Sequence, residues 1–177
     1  MRVAVMAGVL VLAGCSVGGA NEETAANAVL PPGPATNASA VSGEALPAEL
    51  RALAERTVPG MTIVEAERKE REGRVYYDVE GTRPDGSEVE LDVLQEGNGF
   101  RVVEIQRDIA WSAAPAAAIA AAKAAPDAFT PERVIESNQT DGTVIYELFA
   151  PGRTDEPAME VRVKDGKAEV LGTRWAH

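Results

Sequence analysis

The side chains that most often act as catalytic nucleophiles, general bases or metal ligands are scarce in this sequence. It contains one cysteine, Cys15, and one histidine, His177, in 177 residues. A Ser, Thr or Cys nucleophile needs an oriented base beside it, and the sequence offers no internal imidazole for that role. A single cysteine also excludes an intrachain disulfide and a multi-cysteine metal cluster. These residue types argue against an enzyme, and we expect no cofactor.

Carboxylates are the abundant chemical groups. The chain has 28 Asp and Glu against 17 Lys and Arg, and its formal net charge is −11. Nucleic-acid binding requires clustered cations on the protein, so this charge argues against a nucleic-acid partner. Two carboxylates could act as acid and base, but the pattern singles out no pair, because raised pKa values depend on burial. The composition therefore favours a binding or structural protein.

The first residues resemble a bacterial lipoprotein signal. Arg2 is followed by an uncharged, mostly apolar stretch that is shorter than the ~20 residues of a membrane-spanning helix. Leu12-Ala13-Gly14-Cys15 resembles the lipobox, which implies that a signal peptide, residues 1–14, is removed. The resemblance also implies acyl chains such as palmitate on Cys15, and several chains anchor a protein stably in a lipid bilayer. Ser16 then favours the outer membrane, facing the periplasm. A plain secretory peptide with a chance cysteine is the alternative.

Residues 15–46 are predicted to form a lipidated cysteine followed by a disordered tether. After Cys15 this segment contains no aromatic residue and no Lys or Arg, and three prolines, Pro31, Pro32 and Pro34, interrupt any helix. Such a segment buries too little apolar surface to offset the entropy lost on ordering. We therefore expect the folded part to begin at Pro47.

Two stretches with the same order of helix and strand patterns follow the tether. Residues 47–111 begin with a helical pattern around Leu50 and Leu53, and residues 112–177 begin with an alanine-rich helix. Four strand patterns follow each helix. The sequence thus predicts an α+β fold of two tandem units, each a helix packed on a four-stranded antiparallel meander. Two unrelated stretches are the alternative. The predicted strands are 62–72, 74–80, 88–94, 100–106, 133–140, 143–149, 158–164 and 168–175.

Short motifs recur along the first unit: Pro59-Gly60, Ile63-Val64-Glu65, Gly73, Tyr77-Asp78-Val79, Asp85-Gly86 and Leu91-Asp92-Val93. The second unit contains Tyr146-Glu147-Leu148 and Glu160-Val161-Arg162-Val163. These motifs resemble the PepSY domain pattern, the second unit more weakly. Residues 47–177 are thus similar to a tandem PepSY-like protein of the β-lactamase-inhibitor-like fold. This resemblance implies extracytoplasmic protein binding or inhibition rather than catalysis.

Strand alternation predicts an acidic face on the first unit, opposite its helix. Asp78 is expected opposite Glu90, and Glu80 opposite Glu88, although like charges in such positions destabilise a sheet. Three interpretations stay open: a well-solvated surface, a surface for a basic partner, or a weak site for a divalent cation such as Ca²⁺. The residues of this predicted face are Asp78, Glu80, Glu88, Glu90 and Asp92.

The same alternation predicts an exposed apolar and basic patch on the second unit. Exposed patches with aromatic residues and arginine are typical of protein-binding sites. Packing of the two units, or of the tether, against this patch is the alternative. The candidate protein-binding residues are Ile145, Phe149, Arg162, Leu171 and Trp175.

These observations predict a membrane-tethered lipoprotein of the bacterial cell envelope. We expect it to bind or inhibit another extracytoplasmic protein through its sheet surface. The alternative is a structural or cation-binding envelope lipoprotein without a dedicated enzyme partner.

Overall fold

The structure, a computed structural model, describes residues 37–153 and 155–175. The predicted signal peptide, Cys15 and the tether up to residue 36 lie outside these ranges. A short 3₁₀ helix, Trp111–Ala113, precedes the second α-helix. The described strands and α-helices are β1 (Asn37–Ala40), α1 (Ala48–Thr57), β2 (Thr62–Arg71), β3 (Arg74–Thr82), β4 (Glu88–Glu96), β5 (Gly99–Asp108), α2 (Ala116–Ala124), β6 (Arg133–Gln139), β7 (Val144–Phe149), β8 (Met159–Lys164) and β9 (Lys167–Val170).

The described strands form one nine-stranded antiparallel sheet, in which each strand pairs with the next in sequence. The sheet continues across the predicted boundary between units, because β5 pairs with β6, with Glu104 opposite Gln139 and Asp108 opposite Ile135. The predicted architecture of two tandem units, each a helix on a four-stranded meander, is therefore wrong. An unpaired β5 would expose a row of backbone N–H and C=O groups, and its pairing with β6 satisfies them.

Both helices cover the same face of the sheet. Ile105 on β5, Asn138 on β6 and Val144 on β7 lie opposite one another, so their side chains share one face. Ile105 contacts the apolar cluster under α1, and Val144 contacts the cluster under α2. Each helix buries small or branched side chains against the strands below it, Leu50 in α1 and Ala118 in α2. Among the described residues, no helix has the length and apolar character that a membrane crossing requires.

A polar network separates the two apolar clusters on this face. Glu136 is buried, forms a salt bridge with Arg107 at 2.6 Å and accepts hydrogen bonds from Asn138 at 2.9 Å and the Tyr146 hydroxyl at 3.4 Å. Burial opposes ionisation of Glu136, but the hydrogen bonds from Asn138 and Arg107 outweigh it and lower its pKa. Burial and the neighbouring Glu136 raise the pKa of Tyr146 to about 12. An ion pair therefore links β5 to β6 where apolar packing stops.

Regular structure is present before residue 46, where the tether was predicted to end. β1 pairs with β2, with Asn37 opposite Glu70 and Ala40 opposite Glu67. Leu46 is buried in the cluster under α1. The prediction of a disordered tether is therefore wrong for residues 37–46. Their order comes from backbone hydrogen bonds to the edge of β2 and from one large buried side chain, and neither is visible in the composition.

Candidate functional site

The predicted acidic residues lie on the sheet face opposite the two helices, which we call the helix-free face. Side chains of a strand alternate between faces, and those of Tyr77 and Val79 point towards α1. Glu104 of β5 joins this face because it lies opposite Asp92. We call the following six residues the carboxylate array: Asp78, Glu80, Glu88, Glu90, Asp92 and Glu104.

Like charges face each other within the array. Asp78 lies opposite Asp92, and Glu80 lies opposite Glu90. The predicted pairs, Asp78 with Glu90 and Glu80 with Glu88, are therefore wrong by two residues. The conclusion that carboxylates oppose each other still holds, and each such pair destabilises the sheet.

A tight turn between β3 and β4 explains the shifted register. β3 continues through Thr82, which lies opposite Glu88, so the connection is shorter than the predicted turn at 81–87. The Asp85 carboxylate accepts hydrogen bonds from the backbone N–H of Ser87 at 3.0 Å and from its hydroxyl at 2.6 Å. This Asx-type turn fixes the loop and thereby the pairs that oppose each other.

The inner part of the array is buried. Asp78 is 5% exposed, Asp92 is 2% exposed and Glu104 is fully buried. Carboxylate oxygens of Asp78, Glu90 and Asp92 all lie within 4.8 Å of one another. Taking such charges out of water costs several kcal/mol each unless they are paired or protonated.

Three polar side chains contact the buried carboxylates. Lys69 of β2 forms a salt bridge with Asp78. The side-chain amide of Gln106 donates to Asp92 at 3.2 Å. The hydroxyl of Ser137, on β6, donates to Glu104. Each of these three side chains contacts one buried carboxyl group, and of the three Lys69 alone carries a positive charge.

Burial and mutual repulsion shift the titration of the array. Burial, followed by the charges of Asp78 and Glu80, raises the pKa of Glu90 to about 7. Burial, Asp78 and Glu104 raise the pKa of Asp92 well above its usual range. Burial also raises the pKa of Glu80. Glu80, Glu90 and Asp92 therefore hold their protons at a higher pH than isolated carboxyl groups do.

Glu104 is a member of the array that the sequence pattern did not reveal. It lies between two apolar residues in a predicted strand, which is a signal for the face opposite the core. A β-bulge interrupts this alternation, however: Asp92 lies opposite Glu104 and Val93 lies opposite Val102, so Val103 has no residue opposite it on β4. Local periodicity alone could not place Glu104 opposite Asp92.

The residues best placed to hold a metal ion are Asp78, Glu90 and Asp92. Carboxylate oxygens are the ligands that hard cations such as Ca²⁺ prefer. Lys69 and Gln106 already contact two of these carboxylates. The arrangement is thus a carboxyl cluster that one lysine compensates in part and in which burial and repulsion raise the pKa values of Glu90 and Asp92.

The predicted patch on the second unit lies on the helix-free face, but its apolar members are not exposed. Ile145 is fully buried and Phe149 is 4% exposed. Arg162 lies opposite Ile145, and the guanidinium of Arg133 lies 5.4 Å from the centre of the Phe149 ring. The prediction that Ile145 and Phe149 are exposed is therefore wrong. Their strand, β7, is an inner strand whose neighbours on both sides cover it.

The other patch residues are partly buried in local contacts. Arg162 forms a salt bridge with Glu169 at 2.5 Å. The backbone N–H of Leu171 donates to the Glu160 carbonyl at 2.9 Å, and that of Trp175 donates to the Glu160 carboxylate at 2.6 Å. These three residues lie near one another around β8, but they do not form an open apolar surface together with Ile145 and Phe149.

Comparison with known families supports one part of this chain. Residues 47–93 match the PepSY family, described as the peptidase propeptide and YPEB domain. The matched segment spans α1, β2, β3 and most of β4, and it contains the whole carboxylate array except Glu104. The predicted PepSY resemblance is confirmed for this segment. No curated protein and no solved structure matches the chain.

Proposed function

We propose that this protein is a lipid-anchored envelope protein that binds, and thereby inhibits, another extracytoplasmic protein through the helix-free face. The observation that carries this proposal is the carboxylate array. Opposed carboxylates lower the stability of β3 and β4, and no helix of the described residues covers them. A surface that costs stability in the free protein is well explained by a partner that compensates its charge.

The matched family supports a peptidase as the partner. Its description names a peptidase propeptide, and the match contains the β3 and β4 members of the array. A propeptide domain acts by binding, so this description also favours a binding role over a catalytic one. Inhibition then follows if the helix-free face covers the entrance to the peptidase active site.

Capture of the partner tests this proposal. The full-length protein is immobilised and incubated with a detergent extract of the envelope of the bacterium that produces it. We expect one peptidase to be retained in stoichiometric amount and its activity to fall when the protein is added. Retention of many proteins without any effect on peptidase activity would contradict the proposal.

A matched pair of double variants makes this capture specific. Glu80→Gln with Glu88→Gln removes two exposed charges from the array, and Glu44→Gln with Glu49→Gln removes two exposed charges elsewhere. We expect only the first pair to abolish capture. If both double variants lose capture to the same extent, the net charge of the protein alone retains the partner.

The anchoring part of the proposal rests on the lipobox resemblance at Cys15. Cys15→Ala is expected to abolish incorporation of labelled palmitate and to release the protein from the membrane fraction, since acyl chains provide the attachment. Ser16→Ala is the control, because it retains the cysteine. A Cys15→Ala variant that still fractionates with the outer membrane would disprove lipid anchoring.

A cation-binding structural protein is the second candidate function. The close approach of Asp78, Glu90 and Asp92 favours it. Millimolar Ca²⁺ would then raise the melting temperature of the protein, and Asp92→Asn would abolish that rise. We expect no such rise, because Lys69 already compensates Asp78.

A further inference from the structure

A groove of about 320 Å³ opens on the helix-free face at the end where β3 turns into β4. Its lining comes from β2 to β6, so it crosses several strands. The side chains used in the following argument are Glu80 of β3, Glu88 and Glu90 of β4, Arg133 and Ile135 of β6, and Val64 of β2. We call this feature the acidic groove.

The arginines that line the groove are already engaged by other carboxylates. Arg133 binds Asp108 through two hydrogen bonds of 2.8 and 3.2 Å and approaches Glu88 only to 3.8 Å. Arg107 forms its salt bridge with Glu136 at 2.6 Å. Neither guanidinium therefore forms a salt bridge with Glu80 or Glu90.

Glu80 and Glu90 lie opposite each other with no salt bridge to either within the described ranges. Glu80 is exposed and Glu90 is partly buried, so a group entering from solvent reaches both. A positive charge placed between them would offset their repulsion and form charge-assisted hydrogen bonds.

The groove also offers apolar surface beside the charge. Val64 is 69% exposed, the largest exposure among the big apolar side chains described, and Ile135 is partly buried. Long basic side chains bury an apolar stem and keep a charged head at a polar site. Lysine and arginine combine these two properties, whereas a metal ion would leave the apolar surface uncovered.

We propose that the acidic groove receives a lysine or arginine side chain of the partner protein. The stem lies against Val64 of β2, which is next to β3 in the sheet, and the cationic head lies between Glu80 and Glu90. This inference rests on the proposed function and specifies the chemistry that the partner presents. It identifies a basic segment, rather than an apolar one, as the occupant of the helix-free face.

The test measures binding of a blocked tetra-arginine peptide to the full-length protein by titration calorimetry at low salt. We expect Glu80→Gln with Glu90→Gln to weaken binding about tenfold or more. Glu44→Gln with Glu49→Gln replaces the same number of glutamates away from the groove, and we expect it to change affinity less than about twofold. A blocked tetra-glutamate peptide is expected not to bind. Equal weakening of peptide binding by both double variants would overturn the inference.

The peptide experiment and the capture experiment can reject the groove chemistry and the proposed function independently of each other. If a peptidase is captured and the double variant Glu80→Gln with Glu90→Gln captures it equally well, the groove does not receive a basic side chain of the partner. The proposed function would still be supported. Groove-specific peptide binding without any captured peptidase would support the groove chemistry and reject the proposed function.

Discussion

At the scale of single residues, the buried carboxyl groups of β3 and β4 combine a stability cost with a capacity to bind protons. Asp78, Glu90 and Asp92 meet within 4.8 Å, and Lys69 forms a salt bridge with Asp78 alone among them. Protonation of Glu90 and Asp92, whose pKa values are raised, relieves the repulsion among the three groups. The protein should therefore be more stable where these two residues hold protons than where they are ionised.

Glu90→Gln should stabilise the protein above neutral pH. The folded pKa of Glu90 is about 7 against a reference of 4.5, so wild-type stability falls as pH rises between these values and then levels off. At about pH 8 we expect the free energy of unfolding of the variant to exceed that of the wild type by about 2 kcal/mol. At about pH 4 we expect the two free energies to be equal. Urea denaturation at both pH values measures this. If the difference in unfolding free energy between Glu90→Gln and wild type is the same at both pH values, the raised pKa of Glu90 is contradicted. Glu44→Gln, at an exposed position, is the control.

Phe149→Ala should destabilise the fold rather than only weaken binding. The ring is 4% exposed and lies beneath the guanidinium of Arg133. Truncating a buried phenylalanine costs about 3–5 kcal/mol. Chemical denaturation measures the loss, and Val64→Ala, at an exposed position, should change stability by about 0.5 kcal/mol or less. A loss below about 1 kcal/mol for Phe149→Ala would restore the prediction of an exposed binding patch.

At the scale of elements, the edge strand β1 and the bulged start of β2 hold the helix-free face in place. β2 carries Lys69, the cation of the carboxylate array, and β1 covers the edge of β2 beside it. The orientation of Lys69 therefore depends on strands that lie at the sheet margin. The first half of β2 is irregular, with a register shift between Ile63 and Glu65.

Removal of β1 should lower stability by a limited amount. A shortened chain that starts at Ala45 loses the hydrogen bonds of β1 and the contact of Val41 with the core cluster, and we expect a loss of about 1–2 kcal/mol. Thermal unfolding should show a melting temperature lower by about 3–6 °C. A chain that starts at Ala35 keeps β1 and is the control. Identical melting of the two chains would show that β1 contributes nothing.

Gly81→Ala should distort the contact between β2 and β3. An added Cβ at Gly81 would lie 2.4 Å from the Thr62 carbonyl oxygen and 2.6 Å from the Met61 side chain. Because the carbonyl belongs to the backbone, the strands must separate, and we expect a loss of about 2 kcal/mol or more. Gly99→Ala meets no atom closer than 3.7 Å and is the matched control. Equal stability of the two variants by urea denaturation would contradict this geometry.

At the scale of the whole molecule, the single sheet joins two apolar clusters that the sequence pattern assigned to separate units. The pairing of β5 with β6 and the Arg107–Glu136 salt bridge cross that boundary. The acidic groove crosses it too, because Arg133 and Ile135 belong to β6. Binding at the groove therefore depends on both halves of the chain.

The folded part should unfold in one cooperative transition. A continuous sheet couples the clusters under α1 and α2, so Phe149→Ala should lower the temperature of one transition and create no second one. Differential scanning calorimetry measures this, with equal calorimetric and van't Hoff enthalpies as the criterion. Two resolved transitions would show that the halves fold independently.

The positions of strands β2 to β9 and the faces of their side chains could be derived from the sequence, whereas β1 was not predicted. Alternation placed Val79 and Leu91 towards the helix and Asp78 and Glu90 on the opposite face, and both helices lie where the sequence predicts them. The last predicted strand, 168–175, ends earlier, at Val170. These features depend on neighbours a few residues apart, so local periodicity and turn residues determine them.

The tertiary structure alone decided which strands pair across long separations and which side chains become buried. The pairing of β5 with β6, the position of Glu104 opposite Asp92 and the burial of Phe149 depend on residues far apart in the chain. Alternation assigns a side chain to a face, but it does not say whether neighbouring strands cover that face. Burial in turn sets the pKa of Glu90, because the cost of a charge depends on the water and charges that surround it.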